Sequence, residues 1–373
     1  MKVLYLSKAL VVGSYQTKME ALARQPEIDL VAAVPPVWKD ERGETTLERA
    51  HLEGYRLRVV PMRFNGSFHG HYYPSIARVL DEEAPDLFHI DEEPYNLGAF
   101  HAAWHARRRS IPFLFLTWQN LFRRYPPPFN WMERWLYRRT SHAIAGNREA
   151  AQVLRRKGYS GTIEVIPQFG VDPASFPPRP TPHARGQVPV IGYAGRFVPE
   201  KGLAVLLKAL AGLRALPWEL ELRGSGPQRA ELDALAAQLG VGDRVRVQPP
   251  LPSTRMSEFY HEIDIFVLPS RTMPNWKEQF GRVLIEAMVS GVTVVGSDSG
   301  EIPHVIGDAG LVTPEGDAPS LCHALERLLT SPGLRAELAA AGRQRVLDHF
   351  TQAAIATQTA ALYREMLGCA TPS

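Results

Sequence analysis

Residues 190–203 read VIGYAGRFVPEKGL, and this stretch contains the pattern that decides the fold. It begins with a short apolar run, Val190–Tyr193, which predicts a buried strand. A loop with two glycines and two cations follows, and a helix is predicted to begin after Gly202. Short apolar runs alternate with amphipathic stretches throughout the chain. This alternation is typical of a parallel sheet with helices on both faces.

The predicted strands form two sets, one in each half of the chain. The first set is Val3–Leu6, Leu30–Val34, Leu57–Val60, Leu87–Ile90, Phe113–Leu116, Ala143–Ala145 and Ile163–Ile166. The second set is Val190–Tyr193, Leu220–Leu222, Val245–Val247, Ile265–Leu268 and Thr293–Val295. Predicted helices lie between the strands, near Lys18–Arg24, Tyr73–Glu83, Asn147–Lys157, Leu203–Leu213, Gln228–Leu239, Ser253–His261, Arg282–Ser290, Ala318–Leu329 and Leu334–Phe350.

Residues 172–189 separate the two sets and contain six prolines in 18 residues. Proline lacks an amide donor and fixes φ, so this segment predicts a linker. The length of 373 residues also fits two domains. We therefore expect an α/β protein with two doubly wound, Rossmann-like domains, residues 1–180 and 187–350, facing each other across a cleft. A last helix, within residues 351–373, is expected to return to the first domain. Ligands of open α/β sheets bind outside the carboxyl ends of the strands, so the cleft is the expected site.

The composition excludes several classes of protein. The chain is 45% hydrophobic and 22% charged, which is close to the globular average and excludes fibrous and wholly disordered proteins. The two cysteines, Cys322 and Cys369, are too few for a disulfide scaffold or a cysteine-rich zinc site. Lys8 interrupts the first apolar run, and no run of 18 apolar residues occurs. We therefore expect neither a signal peptide nor a membrane span, and we predict a cytoplasmic location.

Two cations stand in the loop that follows the strand of the opening stretch. Arg196 and Lys201 lie five residues apart between Gly195 and Gly202, just before a predicted helix. Guanidinium and ammonium groups neutralise a diphosphate, and arginine binds it in bidentate fashion. A solvated turn with two surface cations is the alternative. The next strand is followed by the turn RGSGP at residues 223–227, which is shorter than a dinucleotide fingerprint and is by itself a weak signal.

A third motif, EQFGRVLIEA, occupies residues 278–287. Gly281 lies near the start of a predicted helix, where free amides favour an anion. Glu286 lies within that helix among apolar neighbours, and a buried glutamate needs a partner. Two adjacent ribose hydroxyls would be such a partner, and an exposed helix carboxylate is the alternative. A fourth loop, GSDSGEIP at residues 296–303, offers amides before another helix.

The ordered set of these four motifs, over residues 195–303, resembles glycosyltransferase family four. The resemblance implies the two-domain GT-B fold and transfer from nucleotide-activated sugars with retention of anomeric configuration. It also implies that Arg196 and Lys201 clamp the diphosphate and that Glu278 lies beside the donor sugar. The resemblance also implies that Glu286 binds the ribose. It implies that Gly13 is the glycine of the first loop of the N-terminal domain, which faces the diphosphate.

The resemblance further implies donor contacts at Gly195, Arg223, Gly224, Gln248, Leu251, Gly281, Arg282, Val283, Ser299 and Gly300. His89 matches a histidine that commonly contacts the donor sugar in the family, and a satisfied buried histidine is the alternative. Many members carry two glycines where this chain has Ser299-Gly300, so the sugar preference is not carried over. No Asp-x-Asp pair occurs. We therefore predict no metal and no cofactor, with a nucleotide diphosphate sugar as co-substrate.

Two features of the first half concern the acceptor. Asp91, Glu92 and Glu93 form an acidic cluster that either binds acceptor hydroxyls or forms a solvated loop. Residues 104–157 hold 12 basic and 2 acidic residues, and aromatic residues lie between arginines in 119–139. This segment predicts contact with an anionic membrane surface, with the aromatic face of a core helix as the alternative. Nucleic acid is a third and less favoured partner.

The predicted function is that of a retaining hexosyltransferase. The enzyme would move a sugar from a nucleotide diphosphate to a hydroxyl acceptor, a glycolipid or a polysaccharide precursor. Arg196, Lys201 and helix amides would stabilise the charge on the leaving diphosphate. Attack from the face that the diphosphate leaves and double displacement through a carboxylate both remain open. The alternative functions are a nucleotide-sugar epimerase of the same architecture and a non-catalytic nucleotide-sugar-binding protein.

Overall fold

A computed structural model describes residues 1–40, 43–179 and 188–368 of the chain. These residues form two compact units. The first unit contains Met1–Gln168 together with the C-terminal segment that begins at Gln352, and the second unit is Phe169–Thr351. The chain therefore leaves the first unit after Gln168, about a dozen residues before the boundary expected from the sequence.

The first unit is built on a parallel sheet of seven strands. In chain order its strands are β1 (Lys2–Ser7), β2 (Asp29–Val34), β5 (Arg56–Val59), β6 (Leu87–Asp91), β7 (Phe113–Thr117), β8 (His142–Ala145) and β9 (Thr162–Val165). Their order across the sheet is β5-β2-β1-β6-β7-β8-β9. A separate antiparallel hairpin, β3 (Val37–Asp40) and β4 (Gly43–Thr46), follows β2. These two strands lack an apolar run that would predict them, because their residues are mostly polar and exposed.

In the part of the chain that the structure describes, α-helices pack around the sheet of the first unit. They are α1 (Thr17–Ala23), α2 (Ile76–Glu83), α3 (Leu97–Arg108), α4 (Phe129–Tyr137), α5 (Arg148–Arg156) and α13 (Gln352–Leu367). The last helix, α13, packs against α1. Its residues Ile355, Ala360 and Tyr363 are buried in the same core as strand β1. Apolar burial on this face holds α13 in the first unit although the second unit precedes it in the chain.

The second unit is built on a parallel sheet of six strands. They are β10 (Val190–Arg196), β11 (Glu219–Ser225), β12 (Val245–Gln248), β13 (Ile265–Leu268), β14 (Thr293–Ser297) and β15 (Leu311–Thr313), in the order β12-β11-β10-β13-β14-β15. The helices of the unit are α6 (Leu203–Ala211), α7 (Arg229–Gln238), α8 (Met256–Glu262), α9 (Arg282–Val289), α10 (Ile302–Ile306), α11 (Ala318–Thr330) and α12 (Pro332–His349). Every residue of β13 and β14 is buried, as expected for central strands covered on both faces.

The proline-rich segment behaves differently from the predicted linker. Residues 172–179 belong to the second unit, and residues 180–187 lie outside the described residues. Phe176 is buried, and the Arg179 guanidinium donates to the main-chain carbonyls of His261 and Ile263 at 2.5 and 2.8 Å. Prolines exclude helix and sheet here, but the apolar and cationic side chains between them still pack on the unit.

Among the helices described above, none combines the length and the hydrophobicity that a bilayer-spanning segment requires.

Candidate functional site

Three loops of the second unit meet at the carboxyl ends of neighbouring strands β10, β13 and β14. The Lys201 ammonium, from the loop after β10, donates to the Glu278 carboxylate at 2.6 Å. Ser270, which follows β13, donates its hydroxyl to the same carboxylate oxygen at 2.9 Å. Trp276 lies under the ammonium, 4.8 Å from Nζ to the ring centroid. A cation and a carboxylate predicted from separate motifs are therefore brought together in one cluster.

Two glycines allow these loops to approach each other. Gly202 has φ +69° at the start of α6, and a Cβ there would lie 1.9 Å from the Pro269 carbonyl oxygen. Gly300 has φ +60°, and a Cβ there would lie 1.9 Å from the Glu278 carbonyl oxygen. The same carbonyl accepts the Glu301 amide at 3.1 Å. No other residue fits these two positions without moving main chain, so glycine fixes where Glu278 lies.

Arg196 is the most accessible cation of the predicted clamp. It ends β10, its side chain is 63% exposed, and its guanidinium lies 3.6 Å from the Glu200 carboxylate. An exposed pair at this distance is weak, so the guanidinium is free to turn toward an anion. Lys201, by contrast, is 17% exposed and held by its partners. The loop thus offers one fixed and one adaptable cation.

Glu286 is buried within α9, and the structure shows what satisfies it. Its carboxylate accepts the Tyr260 hydroxyl at 2.9 Å and lies 2.7 Å from Arg282 Nε. Burial raises the pKa of the Glu286 carboxyl, while Arg282 and the Tyr260 hydroxyl act in the opposite direction. The partner inferred from the sequence to be a ribose is therefore supplied by the protein in this structure. A ribose would have to share or replace these contacts.

The helix start next to Glu286 has the expected geometry. Gly281 has φ +82° and precedes α9, whose first residue is Arg282. Val283 is half-buried in the first turn. In the neighbouring loop the Ser299 hydroxyl lies 3.1 Å from the Thr272 hydroxyl. Ser299 precedes Gly300, whose close approach to the Glu278 carbonyl brings this loop to the cluster around Glu278.

The predicted base-binding residues lie along the same edge of the sheet, at β11 and β12. Gly224 pairs with Gly195 across the two strands, and a Cβ on Gly224 would lie 1.9 Å from the Gly195 carbonyl oxygen. The Arg223 guanidinium forms ion pairs with Glu221 and Glu262. The positive charge of Arg223 is therefore neutralised by carboxylates of the protein itself. Beyond them, Gln248 ends β12 and is exposed, and Leu251 in the loop that follows is half-buried.

His89 lies in the core of the first unit. It lies in the middle of β6, is fully buried, and shares a 2.7 Å hydrogen bond between Nδ1 and the Tyr363 hydroxyl. Burial, followed by the nearby Lys18 ammonium, lowers the pKa of His89 well below its usual value. Its burial fits the alternative of a core histidine, with Nδ1 bonded to Tyr363 and Nε2 without a hydrogen-bond partner among the described residues. Because side chains alternate between the two faces of a strand, His89 lies on the face of β6 toward α13. It is not at the end of the strand.

The main-chain amide of Gly13 also has a partner within the first unit. Its amide donates to the Glu48 carboxylate at 2.6 Å, and a Cβ on Gly13 would lie 2.7 Å from the same oxygen. The amide therefore binds an anion, but the anion is a side chain of the same unit. The sequence could not show this, because Glu48 lies 35 residues further along the chain.

The acidic cluster after β6 is not a solvated loop. Asp91 accepts the Ser7 hydroxyl at 2.7 Å. Glu92 is buried, forms an ion pair with Lys8, accepts the Tyr73 hydroxyl at 2.6 Å and lies 3.2 Å from His71 Nε2. Lys8 and, after it, His71 hold the pKa of Glu92 well below its usual range against the effect of burial. Glu92 is thus a structural anion at the carboxyl ends of β1 and β6.

The pKa of Glu93 is shifted in the opposite direction to that of Glu92. Its carboxylate accepts the Thr117 hydroxyl at 2.6 Å and the Trp118 amide at 2.8 Å. Burial nevertheless raises its pKa to about 7, because these bonds and the nearby cations only partly offset the loss of hydration. A carboxyl that exchanges its proton near neutral pH therefore lies at this edge of the first unit.

This protonation state predicts a pH dependence of stability. From pH 4.5 to about 7 the folded protein retains a proton on Glu93 that the unfolded chain has released. The contribution of Glu93 is therefore fully present at acid pH and is lost as pH rises through about 7. Relative to Glu93→Gln, the free energy of unfolding of the wild type should fall by roughly 2–3 kcal/mol between pH 4.5 and 8. Urea unfolding at several pH values measures this, with exposed Glu44→Gln as the control. Parallel profiles for wild type and Glu93→Gln would contradict it.

The basic and aromatic segment divides between core and surface. Tyr137 and Leu136 are buried in the core of the first unit. Trp131 and Trp104 are 56% and 38% exposed, and Phe122 is 36% exposed. The core alternative is therefore right for one face of α4, while Trp131 of α4, Trp104 of α3 and Phe122 between β7 and α4 remain in contact with solvent.

Several residues of the cluster were missed by the sequence analysis. Ser270, Trp276 and Tyr260 lie in or next to the predicted motifs but carry no spacing signal of their own. Among the described residues, no group of three or more histidine, cysteine, aspartate or glutamate side chains is arranged to hold a metal ion.

Comparison with known proteins agrees with the two-unit architecture. Residues 18–175 match the family described as Glycosyltransferase Family 4, and residues 179–345 match Glycosyl transferases group 1. Among solved structures, sucrose-phosphate synthase from Thermosynechococcus elongatus is 21% identical, with a TM-score of 0.71 over 99% of both chains. Anabaena Alr3699/HepE in complex with UDP is 18% identical, with a TM-score of 0.71 over 98% of this chain and 100% of that one. These likenesses show the GT-B fold.

Curated relatives are closer in sequence. The lipopolysaccharide core biosynthesis glycosyltransferase LpsE of Rhizobium meliloti is 30% identical over 67% of this chain and 75% of that protein. A GDP-mannose-dependent alpha-(1-6)-phosphatidylinositol monomannoside mannosyltransferase of Mycolicibacterium smegmatis is 32% identical over 52% of this chain and 54% of that protein. An MMP alpha-(1->4)-mannosyltransferase of Mycolicibacterium hassiacum is 33% identical over 55% and 49%. The chain spans about half the length of these two mannosyltransferases. From its motifs, its two sheets and these matches, the chain belongs to Glycosyltransferase Family 4.

Proposed function

We propose that this protein is a retaining hexosyltransferase that moves a sugar from a nucleotide diphosphate to a hydroxyl acceptor. The observation that carries the proposal is the Lys201–Glu278–Ser270 cluster at the carboxyl end of β10 and β13, with exposed Arg196 in the same loop. An ammonium has three donors, and Lys201 uses one of them on Glu278. The others are available to an anion. A site that holds one fixed and one adaptable cation suits a diphosphate.

In the proposed reaction the bond between the anomeric carbon and the β-phosphate oxygen breaks, and a bond from that carbon to the acceptor oxygen forms. The acceptor proton leaves with a phosphate oxygen. Negative charge grows on the leaving diphosphate, where Arg196, Lys201 and the amides at the start of α9 stabilise it without a metal ion. Because the Glu278 carboxylate is already paired with Lys201, it is a weak nucleophile. This supports attack from the face that the diphosphate leaves, rather than double displacement.

Replacement of the clamp lysine tests the proposal. Lys201→Ala should lower turnover by roughly 10² or more, because the lost charge matters most as the diphosphate departs. Lys208→Ala, an exposed lysine on α6, is the matched control and should keep wild-type turnover. GDP-mannose and UDP-glucose are suitable first donors, and NMR of the product reports its anomeric configuration. A Lys201→Ala enzyme with near wild-type turnover would remove the central claim, and product with inverted configuration would refute retention.

We further propose that Glu286 binds the donor ribose. Its place in α9 beside Gly281 supports this, and its bonds to Tyr260 and Arg282 would hold the carboxylate in position for two hydroxyls. Glu286→Gln should therefore raise the donor KM more than it lowers kcat, since ribose binding changes little along the reaction. Tyr260→Phe, which keeps the carboxylate and removes one of its partners, is the control. If both substitutions lower stability equally and leave KM unchanged, Glu286 is structural.

The acceptor is proposed to be a hydroxyl on a lipid-linked or inositol-containing molecule. Two relatives are named as a phosphatidylinositol monomannoside mannosyltransferase and a D-inositol 3-phosphate glycosyltransferase, and these names support this class. Residues 104–157 support peripheral association with a membrane, because exposed Trp131 and Trp104 stand among an excess of positive charge. Indole rings favour the headgroup level of a bilayer, and arginines favour anionic headgroups.

Vesicle flotation tests the membrane contact. The double substitution Trp104→Ala and Trp131→Ala should weaken binding to phosphatidylglycerol-containing vesicles about tenfold, because two exposed indole rings lose apolar contact. Phe64→Ala, which removes a 68% exposed aromatic ring outside this segment, should bind as the wild type does. Added salt should also weaken binding. Equal recovery of wild type with neutral and anionic vesicles, or none with either, would exclude an anionic membrane contact and favour a soluble acceptor.

A further inference from the structure

A cavity of about 360 Å³ lies at the amino ends of β7 and β8 in the first unit. This is the edge of the sheet opposite to the loops that carry Glu92 and Glu93. The residues that line it come from the end of α3, the turn before β7, the turn between α4 and β8, and α13, and they include Arg107, Arg138, Arg139, Ser110, Ser141 and Met366. Three of them are arginines, and none is acidic.

The guanidinium groups of these three arginines lack hydrogen-bond and ion-pair partners among the described residues. Arg107, Arg138 and Arg139 are exposed, and within the described part of the chain their guanidinium groups have no ion pair or hydrogen bond. The nearby Arg109 is different, because it is held by the Asp81 carboxylate at 2.6 and 2.7 Å. Only Arg139 has a further contact, with its guanidinium carbon 5.8 Å from the Trp135 ring centroid. Three like charges around one cavity repel each other unless an anion lies between them.

Helix capping does not account for this arrangement. Arg107 lies in the last turn of α3, and Arg138 follows the end of α4, where cations are favourable. The terminal carbonyls are nevertheless bonded by main-chain amides. Those of Ala106 and Arg107 accept from residues 109–111, and those of Arg134 and Leu136 accept from residues 138–140. The guanidinium donors thus remain directed to solvent and the cavity.

We infer that this arginine pocket, formed by Arg107, Arg138 and Arg139, binds the phosphate group of a phosphorylated ligand. Guanidinium groups bind phosphate in bidentate fashion, and three of them supply more donors than one phosphate group accepts. The Ser110 and Ser141 hydroxyls line the same cavity, and Ser141 Oγ shares a 2.8 Å hydrogen bond with His142 Nδ1. The apolar wall of Ile111, Pro112 and Met366 suits the carbon part of a phosphate ester. The site is separate from the proposed donor clamp, which lies in the second unit.

The phosphate group has two possible sources, a soluble ester and a lipid headgroup. In one arm, glycerol 3-phosphate is titrated calorimetrically into the full chain carrying Arg196→Ala and Lys201→Ala, so that the proposed donor clamp does not contribute. In the other arm, flotation compares vesicles of phosphatidylcholine with vesicles that also contain phosphatidic acid. Binding in the first arm identifies a soluble ligand as sufficient, and binding in the second alone identifies the headgroup.

Matched variants decide whether the arginine pocket is responsible. Arg107→Ser, Arg138→Ser and Arg139→Ser together should weaken phosphate binding at least tenfold, since each charged hydrogen bond contributes about that factor. The control replaces Arg49, Arg63 and Arg78, three exposed arginines elsewhere in the first unit, and should bind nearly as the parent does. Circular dichroism verifies folding, and the single substitution Arg138→Glu serves if the triple variant unfolds.

The inference fails if the parent protein binds phosphate in neither arm. It also fails if both triple variants weaken binding equally, since that would reflect overall charge rather than the arginine pocket. Neither result depends on sugar transfer, because both arms measure binding alone. Loss of transfer in Lys201→Ala with phosphate binding retained would support both proposals. Retained transfer in that variant would overturn only the donor clamp.

Discussion

The ion pair between Lys201 and Glu278 is the interaction on which the loops of the second unit depend. Both side chains are largely removed from water, at 17% and 11% exposure. Burying one of these charges without the other would cost several kcal/mol, so each requires its partner. The two side chains lie 2.6 Å apart. Gly202 and Gly300 make this possible, because they have no Cβ to collide with the Pro269 and Glu278 carbonyl groups. Backbone geometry thus sets the electrostatics of the cluster.

The first unit uses the same physical rule for a different purpose. Glu92 is fully paired, by Lys8 and His71, and its pKa is depressed. Glu93, the next residue, receives only neutral donors directly, and its pKa rises to about 7. Neighbouring carboxylates therefore differ in protonation because one has a cationic partner and the other does not. One buried anion and one carboxyl able to exchange a proton near neutral pH therefore lie side by side after β6.

Much of the fold follows from local pattern. The predicted strand Ile265–Leu268 is found with the same bounds, and the predicted helix Arg282–Ser290 is found as Arg282–Val289. Apolar runs of this kind are buried on both faces and leave little choice of structure. The hairpin at residues 37–46 escaped prediction because it lacks such a run. Residues 172–179 of the predicted linker pack on the second unit, because prolines constrain backbone conformation but do not determine whether neighbouring side chains pack.

The residues of the candidate site could be predicted only where they lie close together in one segment of the sequence. Arg196 and Lys201 share a loop, so the sequence shows them together. His89 and Gly13 depend on partners far along the chain, the Tyr363 hydroxyl and the Glu48 carboxylate, and local sequence does not reveal such partners. A buried group is satisfied by whatever donor or acceptor the fold brings near, whether ligand or protein. Burial alone therefore does not distinguish a binding residue from a core residue, because the Tyr260 hydroxyl satisfies the buried Glu286 carboxylate as a ribose hydroxyl would.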